Sequence, residues 1–437
     1  MPSRARKAPE RTAGTTPCRF CGSNNTHIMV DLGMSPLCES YLTLNQLDQM
    51  EPFYPLCAVV CPECMLAQIP AYVPVDEIFT EYAYFSSYSS SWVEHARRYC
   101  ERMHEEFRLG PDSLVLELAS NDGYLLQHFV ARGVPVLGIE PAANVARVAE
   151  TRGVPTLTEF FGTDLAIRLA AEGRRADLVT ANNVLAQVPD LNDFVAGIKL
   201  ILKPDGVATV EYPHLQRLIE GNQFDTIYHE HFSYFSLLTS VRIFQAHGLT
   251  VFDVEELPTH GGSLRLYVEH AEYPGRAISG RVADLLARER AAGMDDLLYY
   301  SSFGHRVEEI KHSLLELLIG ARREGRSVVG YGAPGKGNTL LNFCGIRTDL
   351  LAYTVDRNPY KQGRFLPGTH IPIYHPDRIT ETRPDYILIL PWNLRSEIVD
   401  QLAYVREWGA RFIVPIPHPE VFVEKPTEPI ASGGVTQ

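Results

Sequence analysis

The densest group of reactive side chains lies at 222–235, which reads Asn-Gln-Phe-Asp-Thr-Ile-Tyr228-His229-Glu230-His231-Phe-Ser-Tyr234-Phe. Two His, a Glu and two Tyr this close together are too polar for a core strand. Two readings stand side by side: a hydrogen-bonded aromatic cluster that supports a loop, or acid–base chemistry. A second metal site has little support, because nothing else supplies ligand spacing. The chemistry that uses this set in full is proton removal beside a carbonyl. It needs a base with a pKa of about 7 and donors for the enolate oxygen. Histidine suits the base, tyrosine the enolate or the orienting of the base, and glutamate can set the imidazole tautomer.

A second constellation is metallic. Cys18-Arg-Phe-Cys21-Gly is matched by Cys61-Pro-Glu-Cys64. Two C-x-x-C turns present four thiolates to one tetrahedral zinc, and four Cys leave no open position, so the zinc is expected to be structural. The spacer of about 40 residues calls for a strand pair or loop. Cys38 and Cys57 fall in the same module and are read as core packing.

Two turns look built for ligands. At 115–123, Val-Leu-Glu117-Leu-Ala119-Ser-Asn121-Asp-Gly123 is an apolar strand that ends in small residues, which let a ligand approach the backbone. Glu140 closes the next strand and suits a ribose. Asn183 ends a later strand facing the same crevice, and 202–206, Leu-Lys-Pro-Asp-Gly, turns into another. At 328–338, Val-Val-Gly330-Tyr-Gly332-Ala-Pro-Gly335-Lys336-Gly337-Asn338 matches G-x-G-x-x-G. It is almost a Walker A loop, but Gly337 stands where Ser or Thr is required. Backbone N–H groups and Lys336 at a helix start suit a diphosphate. Asn358, Lys361, Trp392 and Asn393 add amides, a cation and an aromatic face for a base; core packing is an equal reading of Trp392.

The elements that hold these groups follow from periodicity. Strand patterns at 114–118, 134–139, 176–180 and 206–212 alternate with helical ones, which predicts a parallel sheet covered on both faces. A helical stretch, 277–324, is broken at Gly293. A second alternation follows at 327–331, 351–355, 386–390 and 411–414. The expected layout is a disordered tail (1–16), a zinc-binding module (17–74), a Rossmann-like domain (75–275), a second Rossmann-like α/β domain (276–424) and a flexible tail (425–437).

Composition limits the function. The 437 residues are 45% hydrophobic and 21% charged, ordinary for a globular chain, with a formal net charge of −13. No basic stripe stands out, so nucleic acid is not expected as a partner. No apolar run reaches the ~18 residues of a membrane helix, and the N-terminus lacks a signal-peptide core. A cytoplasmic location without membrane association is expected.

Taken in order, the turn at 117–123, Glu140, Asn183 and the 202–206 turn resemble the class I S-adenosylmethionine-dependent methyltransferases. The resemblance implies that Glu117, Ala119, Asn121, Gly123, Glu140 and Asn183 bind that cofactor. Further motifs narrow it: Tyr82-Ala-Tyr84-Phe-Ser-Ser, the Tyr-His-Glu-His-Phe segment, His260-Gly-Gly-Ser-Leu-Arg265 and the cysteine pairs. Together they resemble the sugar C-methyltransferases of deoxysugar antibiotic pathways, from Cys18 to about Pro417. The resemblance implies methylation of a dTDP-linked 4-keto-6-deoxysugar beside its ketone, usually at C3 and in a subset at C5. It makes His231 the general base, Tyr228 and Glu230 its partners, and Tyr82 part of the sugar pocket. Tyr84, His260, Lys336, Asn338, Asn358, Lys361, Trp392 and Asn393 then serve the sugar nucleotide, in a cleft between the last two domains. One position departs from the pattern. Gln187 stands where the family usually has His; it can donate a hydrogen bond but carries no proton charge, so an altered sugar is expected. The competing readings are an O- or N-methyltransferase of a natural-product intermediate, an NAD-dependent oxidoreductase using the C-terminal glycines, and a non-catalytic zinc scaffold.

Overall fold

A computed structural model describes residues 16–75, 78 and 85–422. The chain forms two compact units. Of the described residues, the first unit holds those in 16–40 and 50–309; the second holds Tyr41–Gln49 and 310–422.

The first unit carries two sheets. The seven-stranded sheet has the order Leu249–Leu257, Ser263–His270, Leu202–Pro213, Ala176–Asn182, Val115–Leu118, Val136–Ile139, Thr156–Leu157. Its last five strands are parallel. The first two join by antiparallel pairing, so the sheet is mixed. Their pattern alternates apolar with polar or charged residues, as antiparallel strands do, although Ser263–His270 pairs on both sides and is buried throughout.

Period-2 geometry divides the core. Leu116 and Leu118 face one layer with Ile198, Phe244 and Leu285. Val115 faces the other with Tyr99, Met103 and Phe129. Each such buried side chain contributes about 1.5–3 kcal/mol. Polar caps start the covering helices. The Asp190 side chain accepts from Asp193 N ahead of Leu191–Ile201, and Ser236 accepts from Thr239 N ahead of Leu237–Ala246.

The smaller sheet pairs His27–Ser35, Tyr54–Val60 and Ala67–Gln68 with Ser233–Tyr234 from far along the chain. The cysteine module is therefore stitched to the segment after His231. Cys18, Cys61 and Cys64 share the core layer of Leu116 and Leu118.

The second unit has a six-stranded sheet, Ile373–Tyr374, Thr354–Val355, Val328–Tyr331, Tyr386–Ile389, Arg411–Val414, Glu420–Phe422, parallel except for the last strand. In both large sheets the chain starts in the middle, builds to one side, and then returns to the other. The reversal lies between Val115–Leu118 and Ala176–Asn182 in the first unit, and between Val328–Tyr331 and Tyr386–Ile389 in the second. Open α/β sheets hold ligands beyond the carboxyl ends of the strands at such a reversal. Among the described residues no helix is long and apolar enough to cross a membrane.

Candidate active site and metal centre

Residues 119–123 and Asn183 stand at the reversal of the first sheet. Ala119, Asn121 and Asn183 all have positive φ (56°, 48° and 56°), a conformation that non-glycine residues adopt at a cost. Gly123 has φ 76°, and a Cβ there would lie 3.2 Å from the Ala149 Cα, so the turn packs directly on the helix Ala143–Thr151. Glu140 accepts from Asn121 N at 3.0 Å and Ala142 N at 2.9 Å, which aims its carboxylate into the turn. Burial pushes the Glu140 pKa up. Burial also pushes the Glu117 carboxyl well above its usual range, helped by the negative charges of Glu140 and Asp122. Glu117 Oε2 and Asn183 Oδ1 are buried acceptors without a protein partner among the described residues. The crevice thus combines small residues, a carboxylate at a strand end and orphaned acceptors. That set fits a nucleoside carrying an amino-acid ammonium group, as S-adenosylmethionine does.

The 222–235 segment divides its two histidines between two tasks. His229 Nε2 meets the Pro55 carbonyl at 3.1 Å and its ring edges onto Tyr54, so it fastens the segment to the small sheet. Burial lowers its pKa. His231 Nε2 lies 3.1 Å from the Tyr228 hydroxyl, with ring centroids 4.2 Å apart. Glu230 is buried, and its Oε1 accepts from the Cys38 thiol at 3.4 Å. The half-buried Gln187 ends the turn Leu185–Gln187, which packs against Ser233–Tyr234. Tyr82 and Tyr84 lie outside the described residues.

Sequence reasoning missed a buried polar cluster beside Asn183. Arg265 NH2 meets Glu211 Oε2 at 2.5 Å, His95 Nε2 lies 3.3 Å from the same oxygen, and Thr259 donates to Oε1 at 3.1 Å. Burial alone would raise the Glu211 pKa, but Arg265 and His95 hold it down to about 2. The signal that could have found it is an acid near the end of a largely apolar strand pattern, Gly206-Val-Ala-Thr-Val-Glu211-Tyr212.

The four cysteines converge: Sγ atoms of Cys18, Cys21, Cys61 and Cys64 all lie within 4.8 Å of one another. The Cys18–Cys64 and Cys21–Cys61 pairs are each 3.5 Å apart. The donor set fits zinc, whose bonds of about 2.3 Å to four thiolates need about this spacing. Without a cation the thiols compete for charge. The Cys64 hydrogen bond draws Cys18 down to about 5, while the same contact pushes Cys64 up and burial pushes Cys21 up to about 11. A dication removes that conflict.

In the second unit, Lys336 Nζ donates to Asn393 Oδ1 at 2.8 Å and sits 4.8 Å over the Trp392 ring. These three residues meet at the reversal of the second sheet. Lys361 is buried; its ammonium donates to the Ala333 carbonyl at 2.9 Å and lies over Tyr41. Asn358 Oδ1 accepts from Tyr360 N in a local turn, and Asn338 is buried in the helix Gly335–Cys344.

Three family profiles match the chain: "Putative zinc binding domain" over 18–79, "Methyltransferase domain" over 92–254 and "C-methyltransferase C-terminal domain" over 258–417. The chain is 37% identical over 410 residues to C-methyltransferase NovU of Streptomyces niveus, covering 94% of this chain and 97% of that protein. A 1,6-didemethyltoxoflavin-N1-methyltransferase structure from Burkholderia thailandensis aligns with 49% of this chain and 95% of its own, at 17% identity and a TM-score of 0.34.

Proposed function

The chain belongs to the S-adenosylmethionine-dependent C-methyltransferases, and from that premise we propose that it methylates the carbon beside the ketone of a dTDP-linked 4-keto-6-deoxysugar, at C3, with His231 as the general base. When bound, the cofactor supplies an electrophilic methyl group. A carbon acceptor must be made nucleophilic, so the protein's task is to remove an α-proton and stabilise the enolate. The observation that carries this reading is the His231–Tyr228 pair at 3.1 Å, beside the buried Glu230. The imidazole can accept the α-proton while the phenol offers a hydrogen bond to the enolate oxygen. Glu230 supports the positive charge that the imidazole gains, and Tyr82 and Tyr84, which lie outside the described residues, are proposed for the sugar pocket.

We assign Glu117, Ala119, Asn121, Gly123, Glu140 and Asn183 to the cofactor. Gln187, next to the strand after His231, is assigned to a keto or hydroxyl oxygen of the sugar. Lys336, Trp392 and Asn393 support nucleotide diphosphate binding in the second unit. Asn338, Asn358 and Lys361 support it indirectly, by shaping that turn. The net charge of −13 supports a small-molecule acceptor rather than nucleic acid. Reduced thiols at the zinc site support a cytoplasmic setting.

The test is solvent deuterium exchange into a dTDP-4-keto-6-deoxysugar, followed by NMR with enzyme and S-adenosylhomocysteine. Exchange at C3 that disappears in His231→Ala is expected. Exchange confined to C5 would move the methyl to that carbon, and no exchange into sugars that bind would overturn the enolate reading.

A further inference from the structure

His260 belongs to a motif that sequence reasoning tied to the sugar, yet its neighbours are elements of the cofactor crevice. It sits in the turn Thr259–Gly261, between the strands Leu249–Leu257 and Ser263–His270, with φ 53°. Its Nε2 lies 3.3 Å from Asn183 Nδ2, and Asn183 is itself at φ 56°. Trp92 edges onto His260 at 5.2 Å and stacks on Tyr124, the residue that follows Gly123. The turn is pinned from beneath, because Thr259 donates to the buried Glu211 that Arg265 neutralises. Two strained residues are thus held face to face by a buried ion pair.

The consequence lies in the Asn183 amide. With Nδ2 committed to His260, Oδ1 faces away from the imidazole and is a buried acceptor without a protein partner among the described residues. A buried carbonyl oxygen left unpaired is costly, and the ligand group that satisfies it must be a donor. We propose that His260 is a positioning residue of the methyl-donor site: it orients Asn183 so that Oδ1 receives the ammonium of the donor's methionine moiety. This inference rests on the cofactor being S-adenosylmethionine and not on which sugar is methylated.

Calorimetry separates it from a merely structural role. S-adenosylhomocysteine carries the ammonium; 5′-methylthioadenosine has the same nucleoside but lacks the amino-acid end. His260→Gly and Asn183→Gly keep left-handed backbone accessible. Each should weaken S-adenosylhomocysteine about tenfold, as expected for one charge-assisted hydrogen bond, and leave methylthioadenosine unchanged. The double variant should weaken it little further. Equal weakening of both ligands, or unchanged binding of S-adenosylhomocysteine, overturns the proposal. Neither probe needs an acceptor, so failure here is distinct from failure of the deuterium-exchange test.

Discussion

Glu211 shows what a single buried charge does in this molecule. Its carboxylate has no exposure, and it survives ionised because Arg265, His95 and Thr259 surround it. Replacing it by Gln takes the near counterion from the buried Arg265 guanidinium, which keeps only Glu255 at 3.6 Å; this should cost about 3 kcal/mol at neutral pH. The folded pKa of about 2 lies below the ordinary 4.5. The contribution is therefore complete above pH 4.5 and is lost as pH falls toward 2. Urea titrations of wild type and Glu211→Gln, stepped down from pH 7, should show the gap narrowing below 4.5; a gap independent of pH would contradict the ion pair's role. Cys38 gives a second residue-scale prediction. Its thiol donates to Glu230, 192 residues along the chain. Cys38→Ala should lower kcat several-fold with little change in S-adenosylhomocysteine affinity, and Cys38→Ser should restore most of it, because a hydroxyl keeps the donor. Equal loss in both variants would make Cys38 a packing residue, which is how its sequence context reads. Nothing local marks the thiol, because its partner is set by tertiary register.

Elements carry the coupling between metal and active segment. The second cysteine turn runs straight into Ala67–Gln68, which pairs with Ser233–Tyr234 two residues after His231. Thr239 Oγ1 donates to the carbonyls of Cys64 and Met65, and Arg19 donates to the Ile69 and Pro189 carbonyls. Zinc bound to these thiolates therefore does more than close a loop. Removing it with a chelator, or by Cys64→Ser, should release hydrogen-exchange protection in 61–69 and 232–240 together, while Tyr386–Ile389 in the second unit keeps its own. Loss confined to 61–69 would mean that the strand pair holds without metal. Much of this element layer is legible in the sequence, because its signals are local: C-x-x-C spacing, a strand ending in Ala-Ser-Asn-Asp-Gly, and glycines after an apolar run. The paired strands Leu249–Leu257 and Ser263–His270 carry no such local signal. Their pattern alternates, and only the neighbouring strand Leu202–Pro213 decides that they extend the same sheet.

At the scale of the whole molecule, the chain is not divided by one cut. It leaves the first unit after Ser40, gives Tyr41–Gln49 to the second, and returns at Met50. That excursion is held by paired backbone bonds between Leu42 and Phe365 (3.0 and 2.9 Å) and by the Tyr41 hydroxyl on the Ala333 carbonyl at 2.6 Å. Ala333 lies in the glycine turn at the reversal of the second sheet, and the same carbonyl accepts from Lys361. A short polar stretch between two cysteine pairs thus completes a turn 292 residues away, which no local pattern could announce. The consequence is testable in the intact protein. Tyr41→Ala removes the hydroxyl donor and the ring beneath the Lys361 ammonium. It should loosen exchange protection across Val328–Tyr331 and Gly335–Cys344 and weaken thymidine diphosphate binding several-fold. S-adenosylhomocysteine affinity and protection at Val115–Leu118 should stay at wild-type values. If the cofactor site weakens as well, Tyr41 acts on the fold as a whole; if neither site changes, the excursion is a passive connection and the glycine turn is held by Lys361 and by Asp356, which accepts from Ala333 N at 2.7 Å. The expected asymmetry follows from these two contacts: Ala333 and Lys361 both belong to the second unit, although Tyr41 precedes most of the first.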